Sequence, residues 1–214
     1  MGKRKQICDA MLALDASGMN RGASGNASLR DGDHMLITPS GVPPRDITPD
    51  LIARIPLNGS DEWEGKLAPS VEWHFHRDLL LARPDMNAVL HSHAPWCTVL
   101  AVARKSIPAV HYMMAAFGGP DIRCSGYARY GTPELATHVV AAMEGRNGCL
   151  MANHGMVVVG ETLTKALWLA AEMEALAHQY FHASLIGGAH VLTEDELAET
   201  ARGFASYGAK AKGA

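Results

Sequence analysis

The chain predicts an α/β fold in which helices surround a mainly antiparallel or mixed central sheet, and three observations carry that expectation. At 214 residues it is longer than the roughly 150-residue prior for one domain but short of two, so a single domain over residues 1–214 is expected. Short apolar runs stand in adjacent pairs near both ends of the chain, where a strict βαβ series would separate them by helices. No Gly-x-Gly-x-x-Gly follows a strand-like run, which argues against a Rossmann arrangement.

The elements follow in order. Residues 4–17 place Ile7, Met11 and Leu14 on one helical face and stop near Gly18. Asn26 to Leu29 and Met35 to Thr38 read as two strands joined around Asp31-Gly32-Asp33, because glycine tolerates the positive φ of a tight turn. Pro39, Gly41, Pro43 and Pro44 then force a loop, and Ile52 to Leu57 forms a third strand closed by Asn58-Gly59. Ser70 is placed to cap a helix that runs to Ala82, where Arg83-Pro84 ends it. Ala88 to His93 is a buried strand, and Ala94 to Arg104 is a helix with Pro95 in its first turn. Residues 106–131 read as irregular, and Thr132-Pro133-Glu134 opens the next helix. Two apolar runs, Cys149 to Ala152 and Met156 to Val159, flank Asn153-His154-Gly155; a long helix then spans Thr162 to Leu185 and ends at Gly187-Gly188. From about residue 195 a charged, Gly- and Lys-rich flexible tail is expected.

Hydrophobic residues make up 48% and charged residues 19%, and no apolar run approaches the roughly 18–20 residues of a membrane span. Membranes are therefore not expected partners. A formal net charge of −3 gives no bulk attraction for a phosphate backbone, which sets nucleic acid aside as well. Cys8, Cys97, Cys124 and Cys149 form no Cys-x-x-Cys pair and read as reduced thiols. Asp9 and Asp15 interrupt any secretion-signal core after Lys3-Arg4-Lys5, so a cytoplasmic location is expected.

Histidine is the enriched residue, 11 in the chain, and neutral imidazole is the commonest metal ligand. In Val89-Leu90-His91-Ser92-His93 the period of two points His91 and His93 to one face, about 6.5 Å apart. Two solvent-facing histidines would leave the same pattern, so more ligands are needed. His154, in a tight connection between apolar runs, is a third imidazole. Glu72 lies in the expected first helical turn, and three histidines with one carboxylate would make a zinc sphere. His76, four residues on, is a spare ligand; His74 faces away. A second group of small polar residues comprises Ser24, Gly25, Asn26 and Ser28, then Thr38, Ser40 and Gly41, then Ser70. Their hydroxyls and backbone amides, with a helix N-terminus, could hold a phosphate with little side-chain charge, although the same residue types are ordinary in turns.

Six ordered blocks together resemble the class II aldolase/adducin family, most closely its fuculose-1-phosphate aldolase branch. They are Gly25-Asn26-Ala27-Ser28, Thr38-Pro39-Ser40-Gly41, Ser70 to His76, His91-Ser92-His93, Ile107 to Met113, and His154-Gly155. The resemblance implies a three-layer α/β/α fold and a homotetramer with active sites between subunits. It implies Zn2+, with Mn2+ or Co2+ as alternatives, on His91, His93 and His154, with Glu72 as ligand to the resting metal and then acid/base. Gly25, Asn26, Ser40, Gly41 and Ser70 match positions around a substrate phosphate; Tyr112 matches a tyrosine entering the adjacent subunit's site, and Tyr207 a mobile C-terminal tyrosine. Val71 departs from the motif, which has a serine there, and removes one hydroxyl.

The implied reaction is reversible cleavage of a ketose 1-phosphate to dihydroxyacetone phosphate and an aldehyde. The ketose would be fuculose 1-phosphate-like, or a deoxy- or methylthio-pentulose 1-phosphate. No lysine stands in these blocks, so no Schiff base is required. A sugar-acid phosphate decarboxylase or a pentulose-phosphate 4-epimerase would use the same metal site, although epimerase-like members carry Asp where this chain has Glu72. A non-catalytic adducin-like module is the remaining reading, and the complete histidine set weighs against it.

Overall fold

The computed structural model describes residues 2–204. Its elements are α1 (Lys3–Ala16), β1 (Asn26–Asp31), β2 (His34–Ile37), β3 (Ala53–Pro56), α2 (Trp73–Ala82), β4 (Ala88–Ser92) and α3 (Pro95–Val102). They continue with β5 (Ile107–Pro108), β6 (Asp121–Ile122), α4 (Pro133–Ala142), β7 (Gly148–Met151), β8 (Gly155–Gly160), α5 (Leu163–Leu185) and α6 (Glu194–Phe204). Six strands form one sheet in the order β3-β2-β1-β4-β8-β7, and every neighbouring pair is antiparallel.

Strand alternation divides the apolar side chains between two cores. Ala88 and Leu90 of β4, with Met156 and Val158 of β8, pack with residues of α1, α3, α5 and α6. Val89, Val157 and Val159 point the other way, into a core shared with Phe75, Leu79 and Leu80 of α2 and Leu135 and Val139 of α4. The result is three layers, helices covering both faces of an antiparallel sheet. A face that would otherwise be solvated is covered, which is why β4 and β8 read as continuous apolar runs.

Three local expectations differ. The helix expected from Ser70 begins at Trp73, because residues 68–70 are extended against residues 38–40. There the Ser40 amide donates to the Ala68 carbonyl at 3.0 Å and the Ser70 amide to the Thr38 carbonyl at 2.9 Å. The segment expected to be irregular holds the β5–β6 pair and a 3-10 turn over Tyr112–Phe117. The tail expected from about residue 195 instead starts as α6, whose Leu197 is buried in the larger core. Thr193 and Glu196 form the reciprocal side-chain and backbone bonds of a capping box at its start.

Candidate metal centre

The site lies at one end of the sheet, on the face covered by α2. Register places Asn26 of β1 directly opposite His91 of β4, and Ser28 opposite Val89. His93 follows two residues after His91, on the same face by strand parity. The third histidine arrives on the connection between β7 and β8, where Met151 pairs with Gly155 and residues 152–154 make the turn. Asn153 adopts a left-handed conformation, φ 54°, which asparagine tolerates better than most residues. Its amide donates to the Ala101 carbonyl at 2.9 Å, and its side-chain oxygen accepts from Arg104 Nε at 2.8 Å, pinning the turn to α3 and its C-terminal end.

Gly155 is required by proximity. A Cβ there would lie 2.5 Å from the Ser92 carbonyl oxygen and 3.0 Å from the His93 ring, so only glycine lets β8 run this close to the histidines. Gly25 has φ +75°, and a Cβ on it would meet the Asn20 side chain at 2.5 Å. That glycine turns the chain into Asn26.

His91, His93 and His154 each present a ring nitrogen within 4.8 Å of the others. Their ring centroids are 4.8–5.0 Å apart. His91 is fully buried, and its Nδ1–H donates to the Met156 carbonyl at 2.8 Å, which leaves the Nε2 lone pair facing the cluster. Burial, and then the neighbouring His93, push the His91 pKa down to about 3. Burial, and then His91, likewise lower His154 to about 3, against the opposing pull of Glu72. Burial also lowers His93. Neutral imidazoles crowded together are what a divalent cation requires of its ligands.

Glu72 sits just before α2, almost wholly buried. Its Oε2 is 3.4 Å from His91 Nε2 and its Oε1 is 3.2 Å from His154 Nε2. Among the described residues, Glu72 Oε1 and His91 Nε2 are buried polar atoms with no hydrogen-bond partner. Such orphaned acceptors are costly unless a cation satisfies them, so the donor set fits a divalent metal. Three nitrogens and a carboxylate match zinc chemistry, and Mn2+ or Co2+ would accept the same donors.

Beside the cluster opens a cavity of about 340 Å³ lined by Gly25, Asn26, Ser40, Gly41 and Ser70, with Glu72, His93 and His154 at its metal end. The pairing of residues 38–40 with 68–70 is what brings the small polar segments together. Since the Ser40 and Ser70 amides are already bonded, their hydroxyls rather than their amides remain for an anion, a change from the sequence expectation. Among the described residues no Lys or Arg lines this cavity.

His76, a spare ligand by spacing, is not in the cluster; it is fully buried and bonded to Ser28 and Asn26. His74 stacks on Trp73 and takes no part in the cluster. Tyr112 is exposed and borders a separate groove with Trp168 and Phe204, so it does not reach this chain's own cluster. Tyr207 lies outside the described residues. Sequence reasoning missed Tyr127 and Tyr130, which line the cavity. Two tyrosines set between Gly126 and Gly131 in a loop-like stretch were the sequence signal available for them.

Residues 5–181 match the family described as Class II Aldolase and Adducin N-terminal domain. The chain belongs to this family. A 5-methylthioribulose-1-phosphate/5-deoxyribulose-1-phosphate aldolase of Rhodospirillum rubrum is 47% identical over 209 residues, covering 98% of this chain and 94% of that protein. An L-fuculose phosphate aldolase of Escherichia coli is 44% identical over 205 residues, covering 95% and 94%. Among solved structures, an L-fuculose 1-phosphate aldolase superposes with a TM-score of 0.90 at 36% identity, covering 94% of this chain and 95% of that one. Membership in the class II aldolase family agrees with the three-layer fold and with the histidine cluster. Among the described residues no helix is long and apolar enough to cross a membrane.

Proposed function

We propose that this class II aldolase family member is a zinc-dependent aldehyde-lyase that reversibly cleaves a ketose 1-phosphate to dihydroxyacetone phosphate and an aldehyde. The observation that carries this reading is the convergence of three neutral imidazoles and Glu72 at the end of a hydroxyl-lined cavity. His91, His93 and His154 would hold the ion, with Glu72 completing the set. When bound, the ion supplies Lewis-acid stabilisation of the negative charge left on the substrate by carbon–carbon cleavage.

The chain's own groups divide the remaining work. Ser40 and Ser70 hydroxyls, with the backbone at Gly25, Asn26 and Gly41, would hold the phosphate so that the ketose carbons face the histidines. Glu72, whose Oε1 is buried and without a hydrogen-bond partner, would exchange the proton at the substrate carbon. Tyr112 would serve the aldehyde end of a neighbouring subunit's site, which its exposed position permits, and Tyr207 would close over it. A homotetramer with intersubunit sites, working in the cytoplasm, accommodates those two roles. The relatives' names point to fuculose 1-phosphate and to methylthio- or deoxyribulose 1-phosphate as the substrates to test.

The experiment is a panel of these 1-phosphoketoses assayed for dihydroxyacetone phosphate release, with and without chelator and with Zn2+, Mn2+ or Co2+ restored. Release that chelator abolishes is expected. Carbon dioxide from a sugar-acid phosphate, or epimerisation without release, would replace this reading by a decarboxylase or an epimerase.

A further inference from the structure

The fully buried His76 takes no place in the histidine cluster, yet it lies within a chain of hydrogen bonds that leads to Glu72. Asn26 Nδ2 donates to Glu72 Oε2 at 2.8 Å and to Ser70 Oγ at 3.0 Å. An ionised carboxylate only accepts, so the amide nitrogen of Asn26 must face Glu72 and its Oδ1 must face away. That oxygen meets His76 Nε2, which therefore carries the proton and donates. His76 Nδ1 is then an acceptor, and the Ser28 hydroxyl donates to it at 2.8 Å. Each bond in the series Ser28, His76, Asn26, Glu72 thus has one permitted direction.

The position itself argues for a role. His76 sits on α2 beside Phe75, Leu79 and Leu80, in the core between that helix and the sheet. Burial pushes its pKa well down, so the ring is neutral and no charge is gained from it. An apolar residue would fill this place without the cost of desolvating two ring nitrogens. What imidazole adds is a donor with a fixed tautomer aimed at Asn26 Oδ1. Without that donor the Asn26 amide could rotate, present its oxygen to Glu72, and repel the carboxylate it now holds.

We propose that His76, with its tautomer set by Ser28, is a positioning residue that fixes the Asn26 amide and through it keeps the Glu72 carboxylate turned toward His91 and His154. The proposal rests on the reading of Glu72 as a metal ligand and proton carrier. It predicts that Ser28 and His76 act on metal affinity and turnover without touching metal or substrate, as outer hydrogen-bond partners do at metal sites.

The test compares His76→Leu, which removes the donor, with His76→Gln, whose terminal N–H can reach the same oxygen, and with Ser28→Ala, which releases the tautomer. Zn2+ affinity is measured by competition with a chromophoric chelator, and kcat and KM with the best phosphoketose of the panel. His76→Leu is expected to lose roughly 10–100-fold in Zn2+ affinity and in kcat, His76→Gln to recover most of that loss, and Ser28→Ala to lose several-fold. A folded His76→Leu with wild-type affinity and kcat, or equal losses in His76→Leu and His76→Gln, overturns the proposal. If His76→Leu does not fold, wild-type values in Ser28→Ala overturn it. If the wild-type protein binds Zn2+ but cleaves no phosphoketose, the proposed reaction fails, while the Zn2+ affinities still decide the role of His76.

Discussion

Asn26 stands directly opposite His91 across the β1–β4 pair, so the residue that bonds Glu72 and the most deeply buried histidine of the cluster are fixed by one ladder register. A shift of that register by one residue would put the two side chains on opposite faces of the sheet. The placement of Asn26 and His91 therefore inherits the stability of the central strands rather than that of a loop, and substitutions at these two residues are expected to change chemistry before they change the fold.

His154→Ala removes one of three clustered nitrogens. Purified, metal-loaded protein is expected to bind Zn2+ at least about 10-fold more weakly, and metal analysis after dialysis should show occupancy well below one per chain. Full occupancy would remove His154 from the ligand set.

Glu72→Gln keeps the shape and the acceptor for Asn26 but loses the charge and the exchangeable carboxyl proton. Turnover is expected to fall by about 10²–10⁴-fold, the usual range for a general acid/base, with the thermal melt of the metal-free protein little changed. A variant that still cleaves at the wild-type rate would exclude Glu72 from proton transfer.

Gly155→Ala forces a methyl group to within 2.5 Å of the Ser92 carbonyl oxygen. A destabilisation of about 1–3 kcal/mol is expected, read from denaturant unfolding, together with weakened Zn2+ binding because β8 must move away from His91 and His93. A variant unchanged in both would show that the β4–β8 spacing gives way without disturbing the site.

Burial pushes the Cys97 and Cys149 thiols above the ordinary cysteine range. A raised pKa means less thiolate at any given pH, so both should resist iodoacetamide at pH 8 in the native protein and react at once after denaturation. Mass spectrometry of tryptic peptides reads the outcome, and rapid native labelling of either residue would contradict its burial.

Much of the site was legible because local periodicity carries it. The period of two in residues 89–93 put His91 and His93 on one face, and the structure brings both to one cluster with His154. Helical spacing was a poorer guide. It set His76 on the same face as Glu72 and offered it as a ligand, but α2 begins only at Trp73, so the four-residue rule did not apply across Glu72. Ser70 was read as a cap for the same reason, and the residues around it are instead extended against residues 38–40. Tyr127 and Tyr130 escaped because no period marks a residue held in place by a loop.

Residue types and their order along the chain are properties of the sequence alone: three histidines, one carboxylate, glycines where the backbone crowds, and small polar residues in loops. Which of them meet was decided in three dimensions. Hydrogen bonds between segments some thirty residues apart joined Ser40 to Ser70's neighbourhood, the β7–β8 turn delivered His154, and the β1–β4 register put Asn26 beside His91. The reason is physical: spacing along a chain fixes direction only within one regular element, whereas distances between elements come from the packing of two cores on opposite faces of a sheet.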